Sequence, residues 1–213
     1  MKKAIVAIVA IMFVCGLAWA EDTGTQRVVE VKNEEGELSK CFIVADTAHC
    51  PLWGTIMGYE AKDYWADFAI LRSRGINHVD MYINSGGGSA FAGMSIADTI
   101  RMAQVDGMEV DTFASGLVAS AAVPIFLAGG QRTASINAMF MIHRGKLFKM
   151  YASETIEDLD AQREMMQLCE EQYISFLVQK TNLTADDIES KLDKTTWFSA
   201  EQAMEWGFTD VVK

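Results

Sequence analysis

Basic residues, prolines and cysteines are scarce in this chain, and each shortage excludes a class of protein. The 213 residues include 2 prolines and 4 cysteines, and 18 lysines and arginines face 29 acidic residues. A chain with a net charge of −11 is a poor partner for a phosphate backbone, so we expect no nucleic-acid ligand. So few prolines, with dispersed glycines, leave no long linker between domains. Because 50% of the residues are hydrophobic, the composition predicts a single globular domain.

Metal-binding and nucleotide-binding patterns are also missing. The sequence has no Cys-x-x-Cys pair, and its three histidines, His49, His78 and His143, are scattered. Zinc sites that are readable from sequence have ligands at short, fixed spacings. A phosphate-binding loop needs a lysine after its second glycine, and no such motif occurs. The sequence therefore predicts neither a metal nor a cofactor.

The first 20 residues differ from the rest of the chain. Lys2 and Lys3 precede an uncharged stretch over residues 4–20, and small residues flank a cleavage point before Glu21. This is the pattern of a secretory signal peptide. As a helix, the 17 uncharged residues would span about 25 Å, which favours cleavage over a permanent anchor in a core about 30 Å thick. We expect an exported protein, periplasmic or secreted.

Residues 21–53 form the next predicted region, a β-hairpin. Two β-prone runs, residues 28–31 and 41–44, flank a polar turn at residues 33–36. An exported chain meets an oxidising compartment, where Cys41 and Cys50 are the favoured disulfide pair. Closing this short loop would stabilise the fold by about 2.5 kcal/mol in the chain-entropy model. The alternative is two buried free thiols.

Residues 54–213 show alternating helix and strand patterns. The predicted elements are a helix over 62–74, strands over 79–83 and 108–113, helices near 94–100 and after Ser120, a strand over 138–142 and a long helix over 154–180. Such alternation is typical of an α/β fold with mainly parallel strands.

Three segments in this region carry groups suited to acyl transfer. Glycines 86–88 follow a strand, where bare backbone N–H groups could approach a developing oxyanion. Ser120 opens an apolar helix directly after a strand, as a nucleophile elbow does, although a helix cap is the simpler alternative. The nearby Ser115 is the less favoured serine. His143 ends an apolar strand and is the only histidine downstream of Ser120.

Together these segments resemble the Clp protease proteolytic subunit (ClpP) family. Ile-Asn-Ser-Gly-Gly-Gly-Ser at residues 83–89 looks like the oxyanion turn of the family, and Gly-Leu-Val-Ala-Ser-Ala-Ala at 116–122 looks like its nucleophile segment. Met-Ile-His at 141–143 matches the histidine segment, and residues 198–210 resemble the closing helix and turn. The resemblance covers residues 54–212.

The resemblance implies a single-domain α/β fold, the crotonase-like ββα spiral, and a serine endopeptidase. Ser120 would be the nucleophile and His143 the base, and Gly87 and Ala121 would supply oxyanion N–H groups. The third member is less direct, because Lys191 stands where the family has its aspartate. A two-residue shift makes Asp193 the predicted acid. Three acids of the preceding helix are the fallbacks: Asp186, Asp187 and Glu189.

Export changes what the resemblance implies about partners. Cytosolic members work with ATP-driven unfoldases, whereas an exported protein meets neither those partners nor ATP. We therefore expect an ATP-independent peptidase without an ATPase partner. Assembled as a homo-oligomeric ring, it would cleave peptides or unfolded proteins and reject folded ones.

Three alternatives stay open from the sequence. The first is a signal-peptide-peptidase-like enzyme of the same fold, in which Lys146, Lys149 or Lys191 replaces His143 as the base. The second is a non-catalytic, ClpP-like binding or scaffold protein that has lost its triad. The third is an immunity-type partner protein whose acidic surface holds a cationic ligand.

Overall fold

The computed structural model describes residues 28–32, 38–147 and 153–213. These form one mixed sheet flanked by helices. The strands are β1 (Val28–Lys32), β2 (Leu38–Val44), β3 (Thr47–Ile56), β4 (His78–Gly88), β5 (Glu109–Ala119), β6 (Arg132–Ala134), β7 (Met139–Ile142), β8 (Thr196–Ser199) and β9 (Val211–Val212). The helices are α1 (Gly58–Ser73), α2 (Ala90–Val105), α3 (Ala122–Ala128), α4 (Ile156–Lys180), α5 (Ala185–Leu192) and α6 (Ala200–Glu205).

The centre of the sheet is parallel, as the alternation of strand and helix patterns predicts. Strands β3, β4, β5 and β6 pair in parallel, and the antiparallel pair β1–β2 continues the sheet beyond β3. Strand β5 has two partners in succession: its residues 112–114 pair with β6, and its residues 117–119 pair with β7. This branch places the carboxyl ends of β5 and β7 side by side.

The core lies between the sheet and helices α1, α2 and α3. Apolar side chains at helical spacing on α1 and α2 face the sheet, and every residue of the short helix α3 is buried. Large side chains such as Phe126 and Phe140 are fully buried and pack with their ring centroids 5.4 Å apart. Burying a side chain of this kind contributes about 1.5–3 kcal/mol. The segment that follows Ser120 is therefore held in the buried core.

Strands β4 and β5 run well past their predicted ends, and four strands, β3, β6, β8 and β9, are not predicted. The glycine run predicted as a turn belongs to β4, because Thr55 and Ile56 of β3 pair with Gly87 and Gly88. Strand β5 continues six residues past the predicted end at Phe113, to Ala119. Strand β3 crosses the boundary placed between residues 53 and 54, so the N-terminal hairpin shares one sheet with the rest of the domain.

The long helix over residues 154–180 is present as α4, but most of it is not covered. Its predicted apolar face includes Ile156 and Leu159, which are 76% and 51% exposed. Only Phe176 and Leu177, near its C-terminal end, are buried. Periodicity therefore predicts this helix without telling what packs against it.

Cys41 and Cys50 form a disulfide in the structure, with a sulfur–sulfur distance of 2.05 Å. The register that pairs Phe42 with His49 places the two cysteines directly opposite each other on β2 and β3. The predicted signal peptide lies outside the described residues. Within the part of the chain that is described, no helix is long and apolar enough to cross a membrane.

Candidate active site

Ser120 lies at a sharp turn between β5 and α3. Its φ of 55° is in the left-handed region, which a residue with a side chain seldom adopts. The turn is held from both sides, because the Ser120 N–H donates to Met141 O of β7 at 2.8 Å and the Val123 N–H donates to Ser120 O at 3.0 Å. Strain of this kind persists only where the surroundings impose it, and it concentrates at active sites. The local geometry is that of a nucleophile elbow.

Two glycines let neighbouring elements approach this turn closely. A Cβ on Gly87 of β4 would lie 2.7 Å from Ala119 O and 2.9 Å from Ala121 N, and one on Gly93 of α2 would lie 2.4 Å from Ala121 O. Real Cβ atoms do not approach backbone atoms so closely, so both positions require glycine. The Ser120–Ala121 turn is thus enclosed by backbone on two sides.

His143 follows β7 and reaches Ser120. Its Nε2 lies 2.9 Å from Ser120 Oγ, a hydrogen-bond distance. The contact follows from topology, because β5 and β7 are parallel and pair Ala119 with Met141. An Nε2 that accepts the hydroxyl proton leaves the imidazole proton on Nδ1. The structure therefore brings together the predicted nucleophile and the predicted base.

The other ring nitrogen of His143 has no hydrogen-bond partner among the described residues, although it is buried. In a serine triad a carboxylate accepts the proton of this nitrogen and stabilises the imidazolium. A buried donor without an acceptor costs about 1–3 kcal/mol. The pair Ser120–His143 is thus assembled without the third member.

Asp193, the predicted third member, does not reach His143. It caps the C-terminal end of α5, its side chain is 69% exposed, and its carboxylate accepts from Arg144 at 2.7 Å. Arg144 also bonds Glu170 of α4, and the hydrogen bonds from Asp193 and Glu170 raise the pKa of Arg144 above its usual range. Arg144, which follows His143 in the sequence, therefore binds the carboxylate that was predicted to support His143.

None of the fallback acids contacts His143 either. Asp187 closes a capping box with Thr184, and this bond lowers the pKa of the Asp187 carboxyl. Asp186 and Glu189 are exposed on the same helix.

The lysines of the alternative mechanism are also placed elsewhere. Lys191 lies over the ring of Trp206, with Nζ 3.7 Å from the centroid, and Lys146 is exposed. Lys149 lies outside the described residues. The observed partner of the Ser120 hydroxyl is His143.

The predicted oxyanion donors are adjacent, but one of them has another partner. Gly87 packs against Ala121, as the close approach to Ala121 N shows. The Gly87 N–H donates to Ser85 Oγ at 3.1 Å, and the Ser85 hydroxyl donates to Gly54 O at 2.5 Å. To bind an oxyanion, the Gly87 N–H would have to leave Ser85.

Arg144 and Asn84 are two site residues to which sequence reasoning gave no role. Arg144 follows the histidine directly, and its charge next to the predicted base was the available signal. Asn84 Oδ1 accepts from the Leu117 N–H at 3.0 Å, and Asn84 lies against Gly116, so it ties β4 to β5 just before the nucleophile turn. Its place before the glycine run gave no separate signal.

The Asp193→Asn variant should separate a working Ser–His pair from a hidden triad. Because the Asp193 carboxylate bonds Arg144 and not His143, we expect kcat/KM for a peptide substrate to change less than about tenfold. An aspartate that supports the base would cost about 10⁴ when replaced by asparagine. A loss of that size would show that Asp193 moves to His143 in the working enzyme.

Comparison with known proteins gives an independent result. The family model described as Clp protease matches residues 43–213. ATP-dependent Clp protease proteolytic subunit 2 from Rhodococcus jostii is 35% identical over 136 residues, which cover 63% of this chain and 67% of the relative. Proteolytic subunit 1 from Corynebacterium jeikeium is 34% identical over 136 residues, with coverages of 63% and 69%.

A solved structure shows the same fold. A ClpP1 mutant from Listeria monocytogenes superposes with a TM-score of 0.69 and 23% sequence identity, covering 78% of this chain and 90% of that one. The family match includes the strands that end at the glycine run, at Ser120 and at His143. The chain therefore belongs to the Clp protease family of serine peptidases and has its crotonase-like α/β fold.

Proposed function

We propose that this protein is an exported, ATP-independent serine endopeptidase that cleaves peptides or unfolded proteins through an acyl-enzyme. The observation that carries the proposal is the 2.9 Å contact between Ser120 Oγ and His143 Nε2 at a strained strand-to-helix turn. Nucleophilic catalysis needs a hydroxyl within hydrogen-bond reach of a base, and this contact provides it.

The geometry supports a chemical sequence that uses a Ser–His pair. The Ser120 oxygen attacks the peptide carbonyl carbon while His143 Nε2 takes the hydroxyl proton. The Ala121 N–H, joined by the Gly87 N–H once it leaves Ser85, stabilises the oxyanion of the tetrahedral intermediate. His143 then gives the proton to the leaving amine. A water molecule, deprotonated by His143, releases the acyl group from Ser120 and regenerates the enzyme.

The complete Ser-His-Asp triad remains a prediction. It would need Arg144 to release Asp193 and the end of α5 to approach His143. Without that approach the imidazolium that forms during turnover has no carboxylate beside it, and we expect a slower enzyme than one with a full triad.

Export is supported by the residues and by the crosslink. The N-terminal pattern of two lysines, an uncharged stretch and small residues is typical of a signal peptide. The bonded pair Cys41–Cys50 is a crosslink of the kind that persists in oxidising compartments. Neither compartment open to such a protein supplies ATP, so hydrolysis of an unstructured peptide should proceed without it.

A homo-oligomeric ring is part of the proposal. The uncovered apolar residues of α4, Ile156, Leu159 and Leu168, are 76%, 51% and 54% exposed, which is unusual for a surface that stays in water. Covering them with a second copy would remove this surface from solvent. A ring with enclosed sites would admit extended chains and exclude folded proteins.

A non-catalytic family member is the second candidate function, and one observation favours it. His143 Nδ1 lacks a carboxylate partner among the described residues, as it would in a protein that has lost its triad. The two candidates differ in whether Ser120 is an activated nucleophile.

Labelling of the purified protein with a fluorophosphonate probe tests this difference. We expect covalent labelling of the wild type, none of Ser120→Ala and strongly reduced labelling of His143→Ala, because the probe reacts with an activated serine. Ser115→Ala is the matched control, a serine of β5 that should be replaceable without loss. A folded wild-type protein that stays unlabelled would establish the non-catalytic candidate. A peptidase that required added ATP would contradict ATP independence.

A further inference from the structure

Two histidines that are far apart in the sequence both contact Asp80 on one face of the sheet. His49 of β3 pairs with Asp80 of β4, which in turn pairs with Asp111 of β5. His78 precedes Asp80 by two residues on the same strand, so both side chains lie on the same face. Parallel strand pairing thus brings Asp111 to His78 and Asp80, and places His49 beside Asp80.

The distances within this cluster fit the ligands of a shared ion. His78 Nε2 lies 3.2 Å from Asp80 Oδ1, and His49 Nδ1 lies 3.5 Å from Asp80 Oδ2. Ligand atoms of His78, Asp80 and Asp111 all lie within 4.8 Å of one another. Charge-assisted hydrogen bonds are shorter, about 2.7–2.9 Å. Ligands bound at about 2.0 Å to a tetrahedral ion are separated by about 3.3 Å, which is close to the observed spacing.

The charges of the cluster favour a cation. The Asp80 side chain is only 15% exposed, and Asp111 stands directly across from it on the next strand. Like charges opposite each other destabilise a sheet. Glu109, 3.3 Å from His78, adds another negative charge. Within residues 28–32, 38–147 and 153–213, no lysine or arginine forms an ion pair with Asp80 or Asp111.

Surrounding groups orient two of the four side chains. Asp111 Oδ1 accepts the Gln131 N–H at 2.9 Å, which fixes the carboxylate and leaves its second oxygen available. The His49 ring is stacked between Phe42 and Tyr82, with centroid distances of 5.4 Å and 5.9 Å. Outer-sphere contacts of this type hold the ligands of metal sites in place.

We propose that His78, Asp80 and Asp111 form a binding site for Zn²⁺, with His49 in contact with Asp80 outside the ligand set. One imidazole nitrogen and two carboxylate oxygens, with water in the fourth position, suit this ion, whereas Ca²⁺ and Mg²⁺ prefer sites made only of oxygen. Histidines that are scattered along a sequence argue against a metal site only while the fold is unknown. Here the pairing of β4 with β5 brings the ligands together in space.

The site is separate from the catalytic groups. Asp80 precedes Gly87 by seven residues in the same strand, which corresponds to about 23 Å along β4. The ion would therefore take no part in acyl transfer. It would link β4 and β5 at the ends of the strands away from Ser120, and its binding is independent of the proposed peptidase activity.

Metal titration of the purified chain, without a polyhistidine tag, tests the proposal. We expect one Zn²⁺ per chain in competition with a chromogenic chelator, and the intense visible absorption of four-coordinate Co²⁺ when Co²⁺ replaces it. His78→Gln and Asp80→Asn should each weaken Zn²⁺ binding by more than about 100-fold, since even outer-sphere changes cost 10–100-fold. Ca²⁺ and Mg²⁺ should not compete.

The other possible zinc ligands provide matched controls. His143→Gln changes a histidine outside the cluster, and Cys169→Ser removes the free thiol among the described residues, so both variants should bind Zn²⁺ like the wild type. The absence of stoichiometric binding, or equal binding by the wild type and His78→Gln, would overturn the site. Should Asp80→Asn fail to fold, Asp111→Asn must show the same loss. Because Ser120→Ala should bind Zn²⁺ normally, failure of the peptidase proposal would leave this result unaffected.

Discussion

Ser120→Ala is expected to lower kcat for hydrolysis of an unstructured peptide about 100-fold. The size of this fall shows whether a carboxylate supports His143 as the third catalytic group. In a complete triad, loss of the serine costs about 10⁶ in kcat, and loss of the aspartate alone costs about 10⁴. An enzyme in which no carboxylate supports the histidine already lacks the rate contribution of the aspartate. The rate contribution of Ser120 is then the ratio of the two, about 100-fold.

His143→Ala should give the same fall, and the double variant should be no slower than either single one. The serine and histidine act as one unit, so that losing either removes the whole nucleophilic route. The measurement is steady-state hydrolysis with circular dichroism as a check of folding, and Ser115→Ala is the control. A fall of about 10⁶ would show that a carboxylate joins His143 during turnover. No fall at all would mean that Ser120 is not the nucleophile.

The positions of the predicted nucleophile, Ser120, and the predicted base, His143, could be inferred from short patterns in the sequence. A strand followed by small residues and a serine predicts the turn at Ser120. The apolar run at residues 138–142 predicts a strand with His143 at its C-terminal end. Parallel pairing of β5 with β7 then brings the two residues together without any further requirement. The serine and the histidine are placed by short local patterns even though the full length of β5 is not predicted.

The carboxylate partner of His143 could not be predicted in this way. It depends on the exact alignment of residues after α5 and on whether His143 or Arg144 binds the carboxylate. A two-residue shift near the end of α5 places Asp193 formally close to the family position. The structure shows Arg144 beside His143, and the guanidinium binds Asp193 and Glu170 instead. Which of two neighbouring groups attracts a carboxylate is decided by their positions in space, and these are not visible in the spacing of residues.

Strand β3 and the cluster around Asp80 were not predicted for a related reason. Pro51 and Gly54 weigh against a strand at residues 47–56, but pairing with β4 outweighs local preference. The juxtaposition of His49 and Asp80 depends on that same pairing. A feature assembled by the register of neighbouring strands becomes visible only when the sheet is known.

Gly87→Ala should lower kcat by up to about 100-fold, because Gly87 of β4 packs directly against the turn at Ser120. The added Cβ would lie 2.7 Å from Ala119 O and 2.8 Å from Ser120 Cβ, and the residue has a φ of 91°. Relieving these overlaps requires the backbone on both strands to move, at a cost of about 1–3 kcal/mol in stability. A displacement of about 1 Å at a catalytic group can cost about 100-fold in rate.

The neighbouring glycine supplies the control for this prediction. A Cβ on Gly86 would meet only Leu117 Cδ2, at 3.9 Å, which is an ordinary contact. Gly86→Ala should therefore retain activity and the thermal midpoint, although it changes the same run of three glycines. Thermal unfolding and fluorophosphonate labelling of both variants separate loss of fold from loss of the turn. If Gly87→Ala labelled and hydrolysed like the wild type, the close packing of β4 against Ser120 would not matter for catalysis. If both variants lost activity, the glycine run would act through its flexibility and not through the contact at Gly87.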